Sequence, residues 1–200
     1  MRRFFLLLAA MAVTLVVASG VALAVTKIGT NGPDTLRGTN GADNLIGKGG
    51  NDKLFSLRGR DNLLGGPGKD IVLGGNERRP LGGDKNLVGG RGNDVVNGGK
   101  ASDNVVGGEG NDFLTDGEFT NAVKDTLSGG PGNDVIDVIN KPGVKDVVSC
   151  GSGFDRVLVD RQDLVAPDCE KVFVGLASGD AFNNSIPQSF FEGLNPEIFE

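Results

Sequence analysis

The sequence contains no histidine, tryptophan or tyrosine, so phenylalanine provides the whole aromatic content of 6%. Such a low aromatic content is unusual for a conventional close-packed core. The lack of histidine excludes imidazole-based catalysis and argues against zinc as a bound metal. Neither an H-E-x-x-H nor a G-x-S-x-G motif is present. The sequence therefore predicts that the protein is not an enzyme.

Basic residues are also in the minority. The chain has 20 Lys and Arg against 26 Asp and Glu, which gives a formal net charge of -6 over 200 residues. An acidic chain without a basic cluster argues against nucleic acid or an anionic membrane surface as a partner. Most of the acids are aspartates, so cations are the expected partners.

The longest apolar run lies at the N-terminus. Arg2 and Arg3 precede an apolar stretch over residues 4–17, and the small-residue sequence A-L-A follows at 22–24. This order predicts a signal peptide over residues 1–24, whose removal leaves no transmembrane segment in the mature chain. An uncleaved membrane anchor is the alternative, because the apolar stretch is nearly long enough to span a bilayer.

Glycine and aspartate are abundant, and they recur with a period of nine residues. The chain has 34 glycines, and aspartate returns every nine residues, apart from three short insertions and one lysine at a repeat position. The repeat positions are Asp34, Asp43, Asp52, Asp61, Asp70, Lys85, Asp94, Asp103, Asp112, Asp125, Asp134, Asp146 and Asp155. The residue two places after each of them is apolar. This pattern predicts a six-residue turn followed by a three-residue strand whose middle side chain points inward.

The best copies read G-G-P-G-K-D at 65–70, G-G-R-G-N-D at 89–94, G-G-E-G-N-D at 107–112 and G-G-P-G-N-D at 129–134. They resemble the G-G-x-G-x-D-x-U-x nonapeptide of the repeats-in-toxin (RTX) family. The resemblance implies an all-β fold, a right-handed parallel β-roll of about thirteen repeats over residues 25–160. It also implies Ca²⁺ bound between stacked turns. The loop glycines that bring the backbone close to the ion are Gly66, Gly68, Gly90, Gly92, Gly108, Gly110, Gly130 and Gly132.

Two repeats make an 18-residue coil, so alternate repeats lie on opposite edges of the roll. The odd row is unbroken and consists of Asp34, Asp52, Asp70, Asp94, Asp112, Asp134 and Asp155. The even row consists of Asp43, Asp61, Lys85, Asp103, Asp125 and Asp146. Stacked carboxylates repel, and calcium relieves the repulsion with flexible oxygen coordination. The predicted ligands are the odd row together with Asp43, Asp61 and Asp103.

The even row differs from the odd row in two further ways. Its loops at 120–125 and 141–146 contain almost no glycine, and the lysine could replace a metal charge. Asn44, Asn62, Asn86 and Asn104 follow its repeat positions and predict an asparagine ladder. We therefore expect strong calcium binding in the odd row and partial binding in the even row. Ordinary turn formation without a metal is the alternative for the Asp and Gly residues, above all in the later even-row loops.

The C-terminal part of the chain departs from the repeat. Cys150 and Cys169 predict one disulfide, as expected of a cysteine pair in an exported chain, with a free thiol pair as the alternative. The bridge would tie the last coil to a capping turn over residues 161–175. Residues 176–200 form a tail, which could lie on an apolar stripe of the roll. That stripe contains Ile46, Leu64, Val88 and Val106.

These features predict a secreted, extracellular or cell-surface calcium-binding protein whose folding depends on the ion. An adhesion or cell-envelope module that uses the roll as a scaffold is an alternative, and its protein or glycan partner is not specified by the sequence. A hydrolase or toxin fragment is a second alternative, because RTX repeats are often attached to such proteins. The chain has no room for a catalytic domain beside the repeats.

Overall fold

The structure, a computed structural model, describes residues 23–75, 84, 86–117, 123–140 and 143–175. Most of the predicted signal peptide, Lys85 and the predicted tail lie outside these residues. All regular elements of the described part are β-strands, and it contains no helix that could span a membrane.

The described residues form sixteen strands, each of two to six residues. Eight of them have three residues, as the nine-residue period predicts, and five have six residues. Their bounds are β1 (Thr26–Ile28), β2 (Thr35–Arg37), β3 (Asn44–Ile46), β4 (Lys53–Phe55), β5 (Asn62–Pro67), β6 (Ile71–Leu73), β7 (Asn86–Arg91), β8 (Val95–Asn97), β9 (Asn104–Glu109), β10 (Phe113–Thr115), β11 (Thr126–Pro131), β12 (Val135–Asp137), β13 (Val147–Ser152), β14 (Arg156–Val159), β15 (Leu164–Val165) and β16 (Lys171–Val174).

The strands build two parallel sheets of eight strands each. Odd-numbered strands form one sheet, in the order β1 to β15, and even-numbered strands form the other, in the order β2 to β16. Each strand pairs with the strand one coil later, so that Leu45 faces Leu63 and Leu63 faces Leu87. This arrangement confirms the predicted all-β parallel β-roll. The repeat count was slightly low, because β1, β15 and β16 add three strands to the thirteen that the sequence predicted.

The core is a stack of the middle side chains of the strands. Parallel pairing in register places these side chains directly above one another between the two sheets. Each fully buried Leu or Val contributes roughly 1.5–3 kcal/mol relative to an exposed position. The predicted core residues that are almost completely buried are Leu45, Leu54, Leu63, Val72, Leu87, Val96, Val105, Leu114, Leu127, Ile136, Val148 and Val157. Leu36, near the N-terminal end of the stack, is only partly buried.

A disulfide joins the last full coil to the turn before β16. Cys150 and Cys169 are bonded, and their Cα atoms lie 5.2 Å apart. The carboxylate of Asp168 accepts hydrogen bonds from the backbone N–H of Gly151 and from the hydroxyl of Ser149. These contacts hold the C-terminal turn against β13, and the predicted cysteine pairing is present in the structure.

Candidate functional site: two aspartate ladders

From Asp52 onward, each aspartate of the odd row is held by the backbone of the preceding coil. One carboxylate oxygen, Oδ1, accepts the backbone N–H of the aspartate one coil earlier. The N–H of Asp94 donates to Asp112 at 2.8 Å, and the N–H of Asp112 donates to Asp134 at 2.9 Å. The ladder extends beyond the prediction, because Asp155 donates in the same way to Glu170. It therefore connects all seven odd-row aspartates and ends on a glutamate before β16.

The even row forms a ladder of the same kind, and here one prediction was wrong. The sequence predicted an interruption at Lys85, but Asp84 takes the place in the ladder. Asp84 accepts the N–H of Asp61 and donates its own N–H to Asp103. Asp84 is separated from its strand, β7, by one residue, whereas the other aspartates of the row directly precede their strands. The two backbone hydrogen bonds nevertheless keep the Asp84 carboxylate in register with the ladder. The ladder then continues beyond the predicted repeats to Asp163.

The second carboxylate oxygen, Oδ2, is the unusual feature of both ladders. It is buried and accepts no hydrogen bond at many positions of the described chain. An unsatisfied buried carboxylate oxygen is costly, so each needs a proton or a cation. The described residues with such an oxygen include Asp52, Asp61, Asp70, Asp84, Asp94, Asp112, Asp134 and Asp155.

The first glycine of a loop leaves open the space beside the free Oδ2 oxygen. A Cβ atom placed on Gly107 would lie less than 3.0 Å from both Asp112 Oδ2 and the carbonyl oxygen of Gly129. A carboxylate oxygen and a backbone carbonyl of the next coil therefore converge on the first glycine of the loop. The same convergence occurs at Gly65, Gly89 and Gly129. Calcium prefers this mixture of carboxylate and carbonyl oxygens, typically six to eight at about 2.3–2.6 Å.

Burial raises the pKa values of the stacked carboxyls. The pKa of Asp112 rises from 3.8 to about 7, mainly because burial penalises the charged form. The hydrogen bond from Asp94 opposes this rise, and the neighbouring Asp134 carboxylate adds to it. Asp94 and Asp134 also have pKa values of about 7, and burial is again the main cause. Without a metal, the fold therefore holds these carboxylates in an environment that disfavours their negative charge.

The two edges of the roll differ in the pairing of their loops. On the odd-row edge, β5, β7, β9, β11 and β13 continue into the loops, so that Gly66 faces Gly90 and Pro67 faces Arg91. The N–H of Gly68 then donates to the carbonyl of Arg91 at 2.7 Å. The strands that lead into even-row loops end before the loop begins. The odd-row loops are therefore the more regular of the two sets.

The predicted asparagine ladder is present on the outer face of the odd-numbered sheet. The side-chain amide of Asn104 donates to Asn86 at 2.8 Å, and that of Asn86 donates to Asn62 at 3.3 Å. Asn44 lies in register with Asn62. These exposed amides support the stacking and lie away from the carboxylates.

One further group brings three potential ligand atoms within 4.8 Å, from Cys150, Asp168 and Cys169. It does not fit a metal, because both sulfurs are in the disulfide and a coordinating cysteine must be a thiolate. No three carboxylates approach one another this closely within the described ranges. Calcium in the ladders would therefore need the loop carbonyls as well as aspartates.

Two acidic residues of the ladders were not identified from the sequence. Asp163 and Glu170 each stand two places before an apolar residue, which is the signal that identified the other repeats. Their spacing from the preceding repeat is eight and seven residues instead of nine. A search for an acid followed two places later by an apolar residue, without a fixed period, would have found both.

Comparison with known families agrees with this geometry. The model of the RTX calcium-binding nonapeptide repeat matches four stretches, residues 28–63, 46–78, 82–114 and 120–138. Together they cover slightly more than half of the chain and contain most of both ladders. No curated protein matches the chain.

Proposed function

Because the chain belongs to the family of RTX calcium-binding nonapeptide repeats, we propose that it is an extracellular calcium-binding protein whose β-roll forms when the ion binds. The buried Oδ2 atoms without partners carry this proposal. They recur from coil to coil and face a backbone carbonyl of the next coil. Calcium supplies the positive charge that these oxygens lack.

The proposed ligands follow from the ladders. In the odd row they are the carboxylates of Asp34, Asp52, Asp70, Asp94, Asp112, Asp134 and Asp155, and in the even row those of Asp43, Asp61 and Asp103. Backbone carbonyls complete the coordination, and those that lie beside an Oδ2 atom belong to the first residue of a loop, Gly89, Gly107, Gly129 and Cys150. The loop glycines assigned from the sequence allow the close approach of successive coils, and they are Gly66, Gly68, Gly90, Gly92, Gly108, Gly110, Gly130 and Gly132. Asp84 joins this set because it occupies the ladder between Asp61 and Asp103.

Coupling between binding and folding follows from the shape of the sites. Each site is built from two successive coils, so it exists only in the stacked roll. An ion that binds the folded state alone adds its binding free energy to the stability of the fold. The chain would stay unstacked where calcium is scarce and fold after export, which agrees with the predicted signal peptide of residues 1–24.

Circular dichroism of the mature chain tests this coupling. Millimolar Ca²⁺ is expected to produce a strong β-sheet signal, and a chelator is expected to remove it, because unneutralised carboxylates oppose the stacking. Mg²⁺ at the same concentration should be much less effective, since it requires stricter octahedral geometry. A β-sheet signal that is the same with calcium and with chelator would contradict the coupling.

A comparison of two alanine variants tests the difference between the rows. Asp112→Ala removes a carboxylate between paired glycine-rich loops, whereas Asp125→Ala removes one that follows a glycine-poor loop. Both side chains are buried, so the two variants lose similar packing. We expect Asp112→Ala to weaken calcium binding by at least about tenfold, which corresponds to about 1.4 kcal/mol, and Asp125→Ala to weaken it less. Titration calorimetry measures both, and equal losses would show that the rows bind alike.

The scaffold alternative has one specific observation in its favour. The outer face of the odd-numbered sheet has an apolar stripe in register from coil to coil, formed by Ile46, Leu64, Val88 and Val106. Leu64 is 43% exposed. The stripe lies away from the carboxylates, so adhesion or an envelope role is compatible with calcium binding. We propose no catalytic activity for the roll.

A further inference from the structure

The even-row ladder begins with a donor that is not an aspartate. In the later coils of this row, Oδ1 of each aspartate accepts the backbone N–H of the aspartate one coil earlier. Asp43 is the first aspartate of the row, and its Oδ1 accepts the backbone N–H of Val25 at 2.7 Å. Val25 stands 18 residues before Asp43, which is the length of one coil. It therefore takes the place that an aspartate holds in the later coils.

The backbone of Val25 is fixed in register with the next coil. Its N–H donates to Asp43, and its carbonyl accepts the N–H of Asn44 at 2.8 Å. Strand β1 follows directly, and its first residue, Thr26, pairs with Asn44. Val25 is half-buried, and Asp43 is only 3% exposed. The nitrogen of Val25 is thus held against one defined carboxylate oxygen that is shielded from water.

The two oxygens of Asp43 face different groups. Oδ1 faces Val25, whereas Oδ2 accepts the backbone N–H of Thr39 and faces the loop. A Cβ atom placed on Gly38 would lie less than 3.0 Å from both Asp43 Oδ2 and the carbonyl oxygen of Ser56. This is the same convergence of oxygens as in the odd-row loops. A positive charge at Val25 and a calcium ion beside Oδ2 can therefore be present together.

The predicted leader ends at the residue that begins the ladder. The sequence A-L-A at 22–24 predicts cleavage before Val25. Hydrolysis of the Ala24–Val25 peptide bond by an export peptidase consumes one water. It leaves a carboxylate on Ala24 in the released leader and an α-amino group on Val25, which is largely protonated at neutral pH. The cleavage motif and the register of the ladder are independent features of the sequence, and both select residue 25.

We propose that removal of the leader creates an ion pair between the α-ammonium group of Val25 and the carboxylate of Asp43, which closes the N-terminal end of the even-row ladder. This inference rests on the cleavage that the proposed export of the protein requires. Before cleavage, Val25 donates a neutral peptide N–H. An ammonium donor makes a stronger, charge-assisted hydrogen bond to the same oxygen. The first coil is therefore held less firmly in the precursor than in the mature chain.

Nα-acetylation of the mature chain tests the ion pair. Acetylation of Val25 by an N-terminal acetyltransferase removes the charge and keeps the N–H, and the acetyl group replaces the carbonyl and Cα of Ala24. Neither form contains Leu23, so the hydrogen bond from Thr39 to its carbonyl is absent from both. We expect the acetylated chain to unfold at least about 2 °C lower in saturating Ca²⁺, measured by circular dichroism. Equal melting temperatures overturn the proposal.

A substitution at Asp43 shows whether the charge acts on this carboxylate. The amide oxygen of Asp43→Asn can still accept the N–H of Val25 but has no charge, so acetylation should not change the melting temperature of this variant. Asp103→Asn, in the same row and several coils away, is the matched control, and acetylation should lower its melting temperature as in the wild type. A loss on acetylation that persists in Asp43→Asn overturns the proposal.

A second comparison is available if Asp43→Asn does not reach the wild-type β-sheet signal in calcium. A chain that starts at Ala24 keeps the N–H of Val25 but moves the charge by one residue. It should unfold at a lower temperature than the chain that starts at Val25, and equal melting temperatures overturn the proposal.

The first residue of the exported protein separates this proposal from the proposed function. N-terminal sequencing is expected to begin at Val25, and any other first residue overturns the proposal while calcium-dependent folding can remain. A β-sheet signal that does not depend on calcium contradicts the proposed function instead. The acetylation result stays valid in that case, because both forms are measured in the same buffer.

Discussion

Replacing Gly110 with alanine is expected to prevent the central coils from stacking, even in saturating calcium. Gly110 has a φ of 134°, a conformation that residues with a side chain rarely adopt. A Cβ there would also lie less than 3.0 Å from the carbonyl carbon and oxygen of Gly92 in the preceding coil. Both atoms belong to the backbone, so no side-chain rotation relieves the overlap. We expect a loss of at least about 3 kcal/mol in stability.

Gly32→Ala is the matched control for this prediction. The nearest heavy atom to a Cβ on Gly32 is Thr30 Oγ1 at 3.8 Å, which is an ordinary contact. Its φ is not in the left-handed region, so alanine should change the stability by no more than about 0.5 kcal/mol. Thermal unfolding in calcium measures both variants. A Gly110→Ala variant with the melting temperature of the wild type would show that coil spacing does not depend on this glycine.

The repeat made most of the fold predictable from the sequence. An inward-pointing residue such as Leu63 or Val96 is identified by its position two places after an aspartate, and both are buried as expected. The stacking of Asp94, Asp112 and Asp134 follows from the same period. The physical reason is that each repeat has one local conformation, and parallel stacking copies it from coil to coil.

The parts that could not be predicted are those in which residues stack on one another without keeping the nine-residue spacing. Asp84 keeps its place in the even row through two backbone hydrogen bonds, although it stands one residue away from the expected position. The hydrogen bonds from the Asn140 side chain to Asp116 and Asp146 are a stronger case. Asp116, Asn140 and Asp146 lie at unequal spacings in coils that carry insertions, so no period relates them. Their proximity depends on the length of each insertion and becomes visible only in three dimensions.

Without calcium, the roll is expected to be more stable in mild acid than in alkaline solution. Burial raises the pKa of Asp94, Asp112 and Asp134 from 3.8 to about 7. A group whose pKa is raised by folding contributes stability that is fully present below its unfolded pKa and is lost as the pH rises through its folded pKa. In calcium-depleted buffer, the β-sheet signal in circular dichroism should therefore be present at about pH 4 and be lost by about pH 8. Depleted buffers are preferable to a chelator, because the affinity of a chelator also changes with pH.

Calcium should reverse this pH dependence, and a single substitution can show why. The ion and the proton compete for the same oxygens, so calcium binds more tightly as the pH rises. Asp112→Asn keeps an acceptor for the N–H of Asp94 but cannot ionise. At about pH 8 in calcium-depleted buffer, the variant should retain more β-sheet signal than the wild type, because it removes a buried charge, and in calcium it should unfold at a lower temperature. Such a change of sign would identify Asp112 as a calcium ligand that destabilises the metal-free fold. A loss of stability under both conditions would instead mean that its carboxylate serves the packing of the roll alone.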